Sequence, residues 1–265
     1  MRKSCYAILL FISIISCKEE KPTGWIDKER LLNREAKDWL SLGGDHMMQH
    51  YSPLNQITKE NVTELGYAWE YDASTIIGNV PRGLEATPIV VDGIMYTSGA
   101  WGAVYALDAK TGKQLWIYKP EVDASYGRRS CCDVVNRGVA VWEGKVYVGT
   151  LDGYLVCLNG ENGSVLWSKD TFTDRTKAYT ITSPPQVAGN IVMIGNSGGE
   201  YGVRGYVTAY DLKTGEEKWR FWIVPGDPAN GYESAEMEMA AKTWDPKSHW
   251  PSGMGGTAWG ESAYD

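Results

Sequence analysis

Ala106-Leu-Asp-Ala-Lys-Thr-Gly112-Lys-Gln-Leu-Trp116 recurs twice further along the chain, as Cys157-Leu-Asn-Gly-Glu-Asn-Gly163-Ser-Val-Leu-Trp167 and as Ala209-Tyr-Asp-Leu-Lys-Thr-Gly215-Glu-Glu-Lys-Trp219. The tryptophans are 51 and 52 residues apart, and the glycines keep the same intervals. Asp or Asn followed by Thr-Gly or Asn-Gly is hairpin-turn chemistry, because Gly supplies the positive φ that a tight turn needs. Each copy therefore reads as a strand, a turn, and a second strand starting near the Trp.

Further strand-like runs lie between these copies, each broken by a two-residue turn. They are 87–91 and 94–97 around Asp92-Gly93, 138–142 and 145–150 around Glu143-Gly144, and 185–187 and 191–195 around Gly189-Asn190. Four short strands per repeat of this length is the sequence pattern of a β-propeller blade, so the fold class is all-β, a propeller of four-stranded blades with tryptophan docking motifs. The period exceeds that of WD40 repeats, and the single Trp244-Asp245 lacks their Gly-His context. Cys157 fills the slot held by Ala106 and Ala209, so it reads as small core packing. Upstream, the spacing of Ile26, Leu31, Leu32, Ala36, Trp39 and Leu40 predicts an amphipathic helix over Trp25–Leu40, and a second short helix is expected from Thr58, as cap, to Leu65. Trp69 is expected to close a strand of an earlier, degenerate blade.

Residues 1–16 carry Arg2 and Lys3 followed by an apolar stretch, the pattern of a lipoprotein signal peptide and too short to span a bilayer. The run Ile14-Ile15-Ser16-Cys17 resembles a bacterial lipobox, which makes Cys17 a candidate for lipidation and membrane anchoring, with 17–24 a polar tether. An exported, periplasmic protein can keep disulfides. Removing Arg2 and Lys3 takes the net charge from −7 to −9, which argues against a nucleic-acid partner. With 43% hydrophobic and 22% charged residues, the rest of the chain has the composition of a packed domain, 25–265, with no internal boundary.

Cys131 and Cys132 are adjacent. Neighbouring Cα atoms lie about 3.8 Å apart, shorter than a disulfide prefers, so the pair is either a strained ring or two thiols, one turned in and one out. His46 and His50 have helical metal-ligand spacing, but Ser52-Pro53 follows directly, and a loop is the expected reading. The Gly-rich run Gly195–Gly205 lacks the Gly-Lys-Ser/Thr of a phosphate loop.

Taken in order, Gly83-Leu-Glu85-Ala-Thr-Pro88, Cys131-Cys132-Asp-Val-Val135-Asn-Arg137-Gly138, Ser197-Gly198-Gly199-Glu200-Tyr-Gly-Val-Arg204-Gly205 and the tandem Trp motifs resemble the pyrroloquinoline quinone (PQQ)-dependent alcohol dehydrogenases, from about Asp38 to the end of the chain. The resemblance implies an eight-bladed propeller, of which this chain would supply about four blades, with PQQ and Ca²⁺ or a lanthanide on its axis. It further implies a Cys131–Cys132 disulfide on one face of PQQ and Trp259, from Gly255-Gly-Thr257-Ala-Trp259, on the other. Arg137 would pair with a PQQ carboxylate. Glu85, Thr182, Ser197, Gly198, Gly199 and Thr257 would bond its edge, Val135 would contact it, and Glu200 would ligate the metal. The family oxidises small alcohols by hydride transfer to PQQ, with a cytochrome or haem as electron acceptor. Its catalytic Asp and the metal-binding Asn lie beyond the Thr257–Trp259 match, so the chain is expected to be an N-terminal portion with no catalytic residue of its own, inactive alone. The rival reading from another class is a lipid-anchored propeller scaffold of the outer-membrane assembly type. A sugar-oxidising quinoprotein is a nearer rival.

Overall fold

Each Asp/Asn-x-x-Thr/Asn-Gly turn is built the same way. The Asp108 carboxylate accepts from the amides of Lys110 (3.1 Å) and Thr111 (2.8 Å), and the Gly112 amide donates to the Asp108 carbonyl at 2.8 Å. Asn159 and Asp211 repeat the pattern, with Gly163 and Gly215 donating at 2.8 and 2.9 Å. The glycines take φ of 72°, 73° and 65°, where an L side chain is strained.

The computed structural model describes residues 21–73, 83–250 and 253–264; the export segment, Cys17 and the first half of the tether lie outside them. The turns sit inside three four-stranded antiparallel sheets. The first comprises β1 (Ile89–Val91), β2 (Ile94–Ser98), β3 (Val104–Asp108) and β4 (Gln114–Tyr118). The second comprises β5 (Ala140–Trp142), β6 (Lys145–Gly149), β7 (Tyr154–Asn159) and β8 (Val165–Asp170). The third comprises β9 (Gln186–Ala188), β10 (Ile191–Gly195), β11 (Tyr206–Asp211) and β12 (Glu217–Trp222). In each sheet the register slips by one just after the motif's first residue, and Ala106, Cys157 and Ala209 stand opposite Trp116, Trp167 and Trp219. A small side chain is required there because the indole fills the neighbouring space. Cys157 is fully buried, and burial pushes its thiol up to about 12.

The period of the sequence becomes a lock between blades. Each Trp lies over the turn glycine of the following blade, so a Cβ added at Gly163 would meet Trp116 at 2.5 Å and one at Gly215 would meet Trp167 at 2.8 Å. The Trp116 indole donates to the Gly160 carbonyl at 2.9 Å, and Trp167 to Leu212 at 3.3 Å. Tyr96 and Tyr147 donate to these same two carbonyls, both at 3.1 Å. Trp69 belongs to no strand among the described residues, so an earlier four-stranded blade is not formed there. Its indole nevertheless covers Gly112 and donates to Ala109 at 3.3 Å, as the later ones do. Trp219, last in the series, is 43% exposed.

The expected helix over Trp25–Leu40 shrinks to α1 (Lys28–Leu32), capped by Asp27. The apolar residues are used instead to bury an extended strap. Ile26, Leu31 and Leu40 enter the core, Trp39 exchanges both backbone hydrogen bonds with Val90 at 2.8 Å, and the Glu143 amide donates to Ile26. Arg30 ties this strap to blade one, bridging buried Asp38 at 2.8 Å and Asp92 at 2.6 Å. The second expected helix is a single 3₁₀ turn at Val62–Glu64, with Asn61 at its cap position and the Thr58 hydroxyl accepting from Glu60 instead. After β12, α2 (Ala235–Ala241) lies in a long excursion that returns to the sheets at Gly253. No helix among the described residues is long and apolar enough to cross a membrane.

Candidate functional site

Between blades one and two the chain makes a 3₁₀ segment, Ala124–Arg129, then runs through Cys131, Cys132 and Asp133, whose φ is 65°. Asn136 fixes this run. Fully enclosed, its amide donates to Gly149 O at 2.7 Å, while its oxygen accepts from Ser98 Oγ at 2.6 Å and from the Gly138 amide at 3.1 Å. One side chain thus joins blades one and two and presents Arg137. The buried Asn196 does the same for the next loop, accepting from the Tyr206 amide at 2.8 Å and donating to Ser197 O at 3.1 Å. Neither Asn was singled out in the sequence, because a buried amide and an exposed turn amide look alike there.

Arg137 is the centre of a polar chain. Its guanidinium meets Glu85 at 2.9 Å and Thr182 Oγ1 at 2.6 Å, and Thr182 shares a 2.7 Å bond with Ser197 Oγ. The same guanidinium stands 4.8 Å from the ring centre of Trp259, whose indole is half exposed. Ser197 leads into Gly198, Gly199 and Glu200. The 3₁₀ turn Gly199–Tyr201 is bounded by two left-handed glycines, Gly198 (φ 99°) and Gly202 (φ 76°), a conformation that turns the Glu200 carboxylate out of the sheet. Gly199 carries no side chain because the returning segment lies on it: a Cβ there would meet Gly255 O at 2.5 Å and Thr257 Cγ2 at 3.1 Å.

Glu200 also reaches the cysteines. A hydrogen bond from the Cys131 thiol, together with one from a backbone amide, holds its carboxyl below the usual range against the opposing effect of burial. Burial, then Cys132, then the Glu200 carboxylate push the Cys131 thiol up to about 12. The two sulfurs are 2.8 Å apart and both residues are thiols, exposed on the same side. That separation exceeds the ~2.05 Å of a disulfide bond.

Glu85, Arg137, Thr182, Ser197 and Trp259 therefore form one contact chain, and Cys131, Cys132 and Glu200 a second. Gly198 and Gly199 connect the two, and Thr257 rests on Gly199. Val135 is buried in the run between them. His50 faces Glu261 at 3.4 Å, and His46 packs edge-on against Tyr264, away from any ligand cluster.

The chemistry of this donor set suits a planar, polyanionic ring. Arg137 offers a fork for a carboxylate, Thr182 and Ser197 offer hydroxyls, and the Trp259 indole and the sulfur pair offer broad, polarisable surfaces. For a cation the set is incomplete: Glu200 offers one carboxylate, and among the described residues no group of three or more His, Cys, Asp or Glu gathers to hold a metal.

Residues 39–265 match the family described as PQQ: glucose/ethanol/alcohol dehydrogenase, β-propeller domain. The chain is 51% identical over 242 residues to quinohemoprotein alcohol dehydrogenase ADH-IIG of Pseudomonas putida, covering 91% of this chain and 33% of that protein. The crystal structure of the quinohemoprotein alcohol dehydrogenase of Comamonas testosteroni superposes with a TM-score of 0.86 at 47% identity, over 91% of this chain and 36% of that one. A europium-containing methanol dehydrogenase does so at 0.77 and 36% identity, over 89% and 42%. The chain spans about a third of the length of the relatives it matches. With the match running through all three blades and both halves of the site, the chain belongs to the PQQ-type glucose/ethanol/alcohol dehydrogenase β-propeller family.

Proposed function

We propose that this chain forms the PQQ-holding part of an alcohol dehydrogenase that oxidises small alcohols to aldehydes. The observation that carries the reading is the continuous contact chain from Glu85 through Arg137 and Thr182 to Ser197, with Trp259 against the same guanidinium. A propeller that only scaffolds other proteins has no use for a cation, two hydroxyls and an indole converging at one rim.

PQQ, when bound, supplies an ortho-quinone that accepts a hydride from the alcohol carbon. The residues here bind and orient it. Arg137 would hold one carboxylate through its fork, the Thr182–Ser197 pair would donate to the edge through the one hydroxyl proton its shared bond leaves free, and Glu85 would keep the guanidinium aligned. Trp259 and the Cys131–Cys132 pair, once its thiols are oxidised to a disulfide after export, would keep water off the ring faces. Glu200 contributes one hard oxygen ligand for Ca²⁺ or a lanthanide. We assign cofactor and cation binding to this chain, not turnover by itself. Its electrons would pass to a cytochrome or haem. Export to the periplasm, with Cys17 as a lipid anchor, completes the reading and suits an oxidised cysteine pair.

Titrating PQQ into the protein while following tryptophan quenching tests it. Saturable, near-stoichiometric uptake by the wild type is expected, weakened on the order of a hundredfold in Arg137→Met through loss of a charge-assisted fork. No uptake by the wild type would refute the cofactor reading and leave the scaffold.

A further inference from the structure

Arg204 has no part in the site as assigned, yet it touches the long excursion between β12 and Trp259 at its start, its middle and its end. Its Nε donates to the Val224 carbonyl at 2.8 Å, where the chain leaves the sheet. Both terminal nitrogens bind the Glu233 carboxylate, one of them at 3.1 Å, in a fork-to-fork pair just before α2. The guanidinium lies 4.3 Å from the Trp222 ring centre and has only 14% of its side chain exposed. Gly226 and Gly253 close on it from either side: a Cβ on Gly226 would meet the guanidinium at 3.0 Å, and one on Gly253 would meet Arg204 Cβ at 3.1 Å. Immediately after Gly253 the chain is laid along the rim of blade three, with Gly255 O over Gly199, Gly256 O over Gly205 and Ala258 over Gly195. Thr257 and Trp259 sit in that same stretch.

We propose that Arg204 is a positioning residue for the cofactor site. By holding the excursion at Val224 and Glu233, while Gly253 packs on its Cβ and backbone, it sets the register in which residues 255–259 return, and so the placement of Thr257 and Trp259. The backbone around Arg204 is itself held, since its carbonyl accepts from Tyr179 OH at 3.2 Å, so the clamp works from a fixed point on blade three. The argument rests on the PQQ reading only for what Trp259 does, not for what Arg204 holds. Lysine cannot replace it, because its one ammonium lacks the planar fork that meets both Glu233 oxygens while a separate Nε–H reaches Val224 O.

Two measurements test this on the wild type, Arg204→Lys and Glu233→Gln. Limited proteolysis without PQQ should cut within 253–259 on the order of tenfold faster in both variants, with protection of blades one and two unchanged. PQQ affinity should fall by a similar factor, and Arg204→Lys should have a smaller effect in a Trp259→Ala background, because part of what Arg204 positions is then missing. Glu233 is 41% exposed, so its amide variant remains folded even if the lysine variant does not. Unchanged cleavage within 253–259, faster cleavage spread evenly over all blades, or an Arg204→Lys effect on affinity undiminished in the Trp259→Ala background would each overturn the proposal. Failure of the wild type to bind PQQ, with the cleavage pattern as expected, would overturn the cofactor reading and leave Arg204's hold on the excursion standing.

Discussion

Gly163→Ala should destabilise the protein far more than Gly93→Ala, although both glycines sit in tight turns at nearly the same φ, 73° and 77°. The backbone penalty is shared, about 1 kcal/mol for an L residue in this region. The surroundings differ: nothing lies within 4 Å of a Cβ at Gly93, whereas one at Gly163 would be 2.5 Å from Trp116 Cε3 and 2.9 Å from Cδ2. Atoms that close must separate, and Trp116 cannot retreat freely, since it is 8% exposed and hydrogen-bonded to Gly160 O at 2.9 Å. Lifting the indole leaves its N–H without a buried partner, at about 1–3 kcal/mol, and loosens its packing on Tyr96, about 1 kcal/mol more. The carbonyl is not orphaned, because Tyr96 OH still donates to it. The expected losses are therefore about 1 kcal/mol for Gly93→Ala and about 3–5 kcal/mol for Gly163→Ala. Urea unfolding followed by tryptophan fluorescence measures both, and a Trp116→Ala background should erase most of the difference by removing the clash. Equal losses in the two variants would refute the claim that the Trp-over-Gly contact, and not the turn alone, joins the blades.

Trp219 is 43% exposed where Trp116 is buried and Trp167 half-buried, so in this chain Trp219→Ala should cost under about 1 kcal/mol and Trp116→Ala about 3–5, read from the same unfolding curves. Arg30→Met would strand the Asp38 carboxylate, whose side chain is 2% exposed, and should cost about 3–5 kcal/mol; replacing Asp38 by Asn as well should recover much of it. Thr182→Val removes the hydroxyl shared by Arg137 and Ser197 and should cost about 1–3 kcal/mol, with weaker PQQ binding in the same titration. The Glu200 carboxyl is held below its ordinary value, mainly by the Cys131 thiol, so its stabilising contribution is full above the usual glutamate range and fades as pH falls through the lowered value. In the reduced protein, wild type should exceed Glu200→Gln in stability near neutrality, and the gap should close only in acid. A gap that widened on acidification would contradict the assignment.

The blade architecture was legible because it rests on local chemistry. Asp108, Asn159 and Asp211 each accept from amides two and three residues on, so their spacing to Gly and Trp survives in the sequence as a period. The N-terminal strap was not, for a related reason. Apolar positions at Ile26, Leu31, Trp39 and Leu40 fit a helix on paper, but they face several different elements: Trp39 pairs with β1, and Ile26 meets the turn at Glu143. A helical periodicity carries information only when one surface receives the whole face, and here the receiving surface is the outside of two blades.

At the site the division is sharper. Glu85, Arg137, Thr182 and Ser197 lie up to 112 residues apart in the chain, and no periodicity places them together; only the ordered motifs did. What those motifs omit is the framework that holds them. Asn136, though it stands inside a quoted motif, and Asn196 give no sign in the sequence of their work, which is to saturate buried carbonyls, amides and hydroxyls around them. Arg204 stands inside a quoted motif, yet its partners Val224 and Glu233 are 20 and 29 residues away, across a segment with no repeat of its own. The consequence is physical. Residues that touch a ligand must have particular chemistry and so leave a signature, whereas residues that set their positions need only reach the right backbone atoms. A variant such as Asn136→Asp keeps the size and one acceptor but loses the donor to Gly149 O, and it should lower PQQ affinity without removing any group that meets the cofactor. If that affinity were unchanged while the unfolding midpoint fell, Asn136 would belong to the fold alone, and the rim geometry at Arg137 would have to be maintained by Glu85 and Thr182.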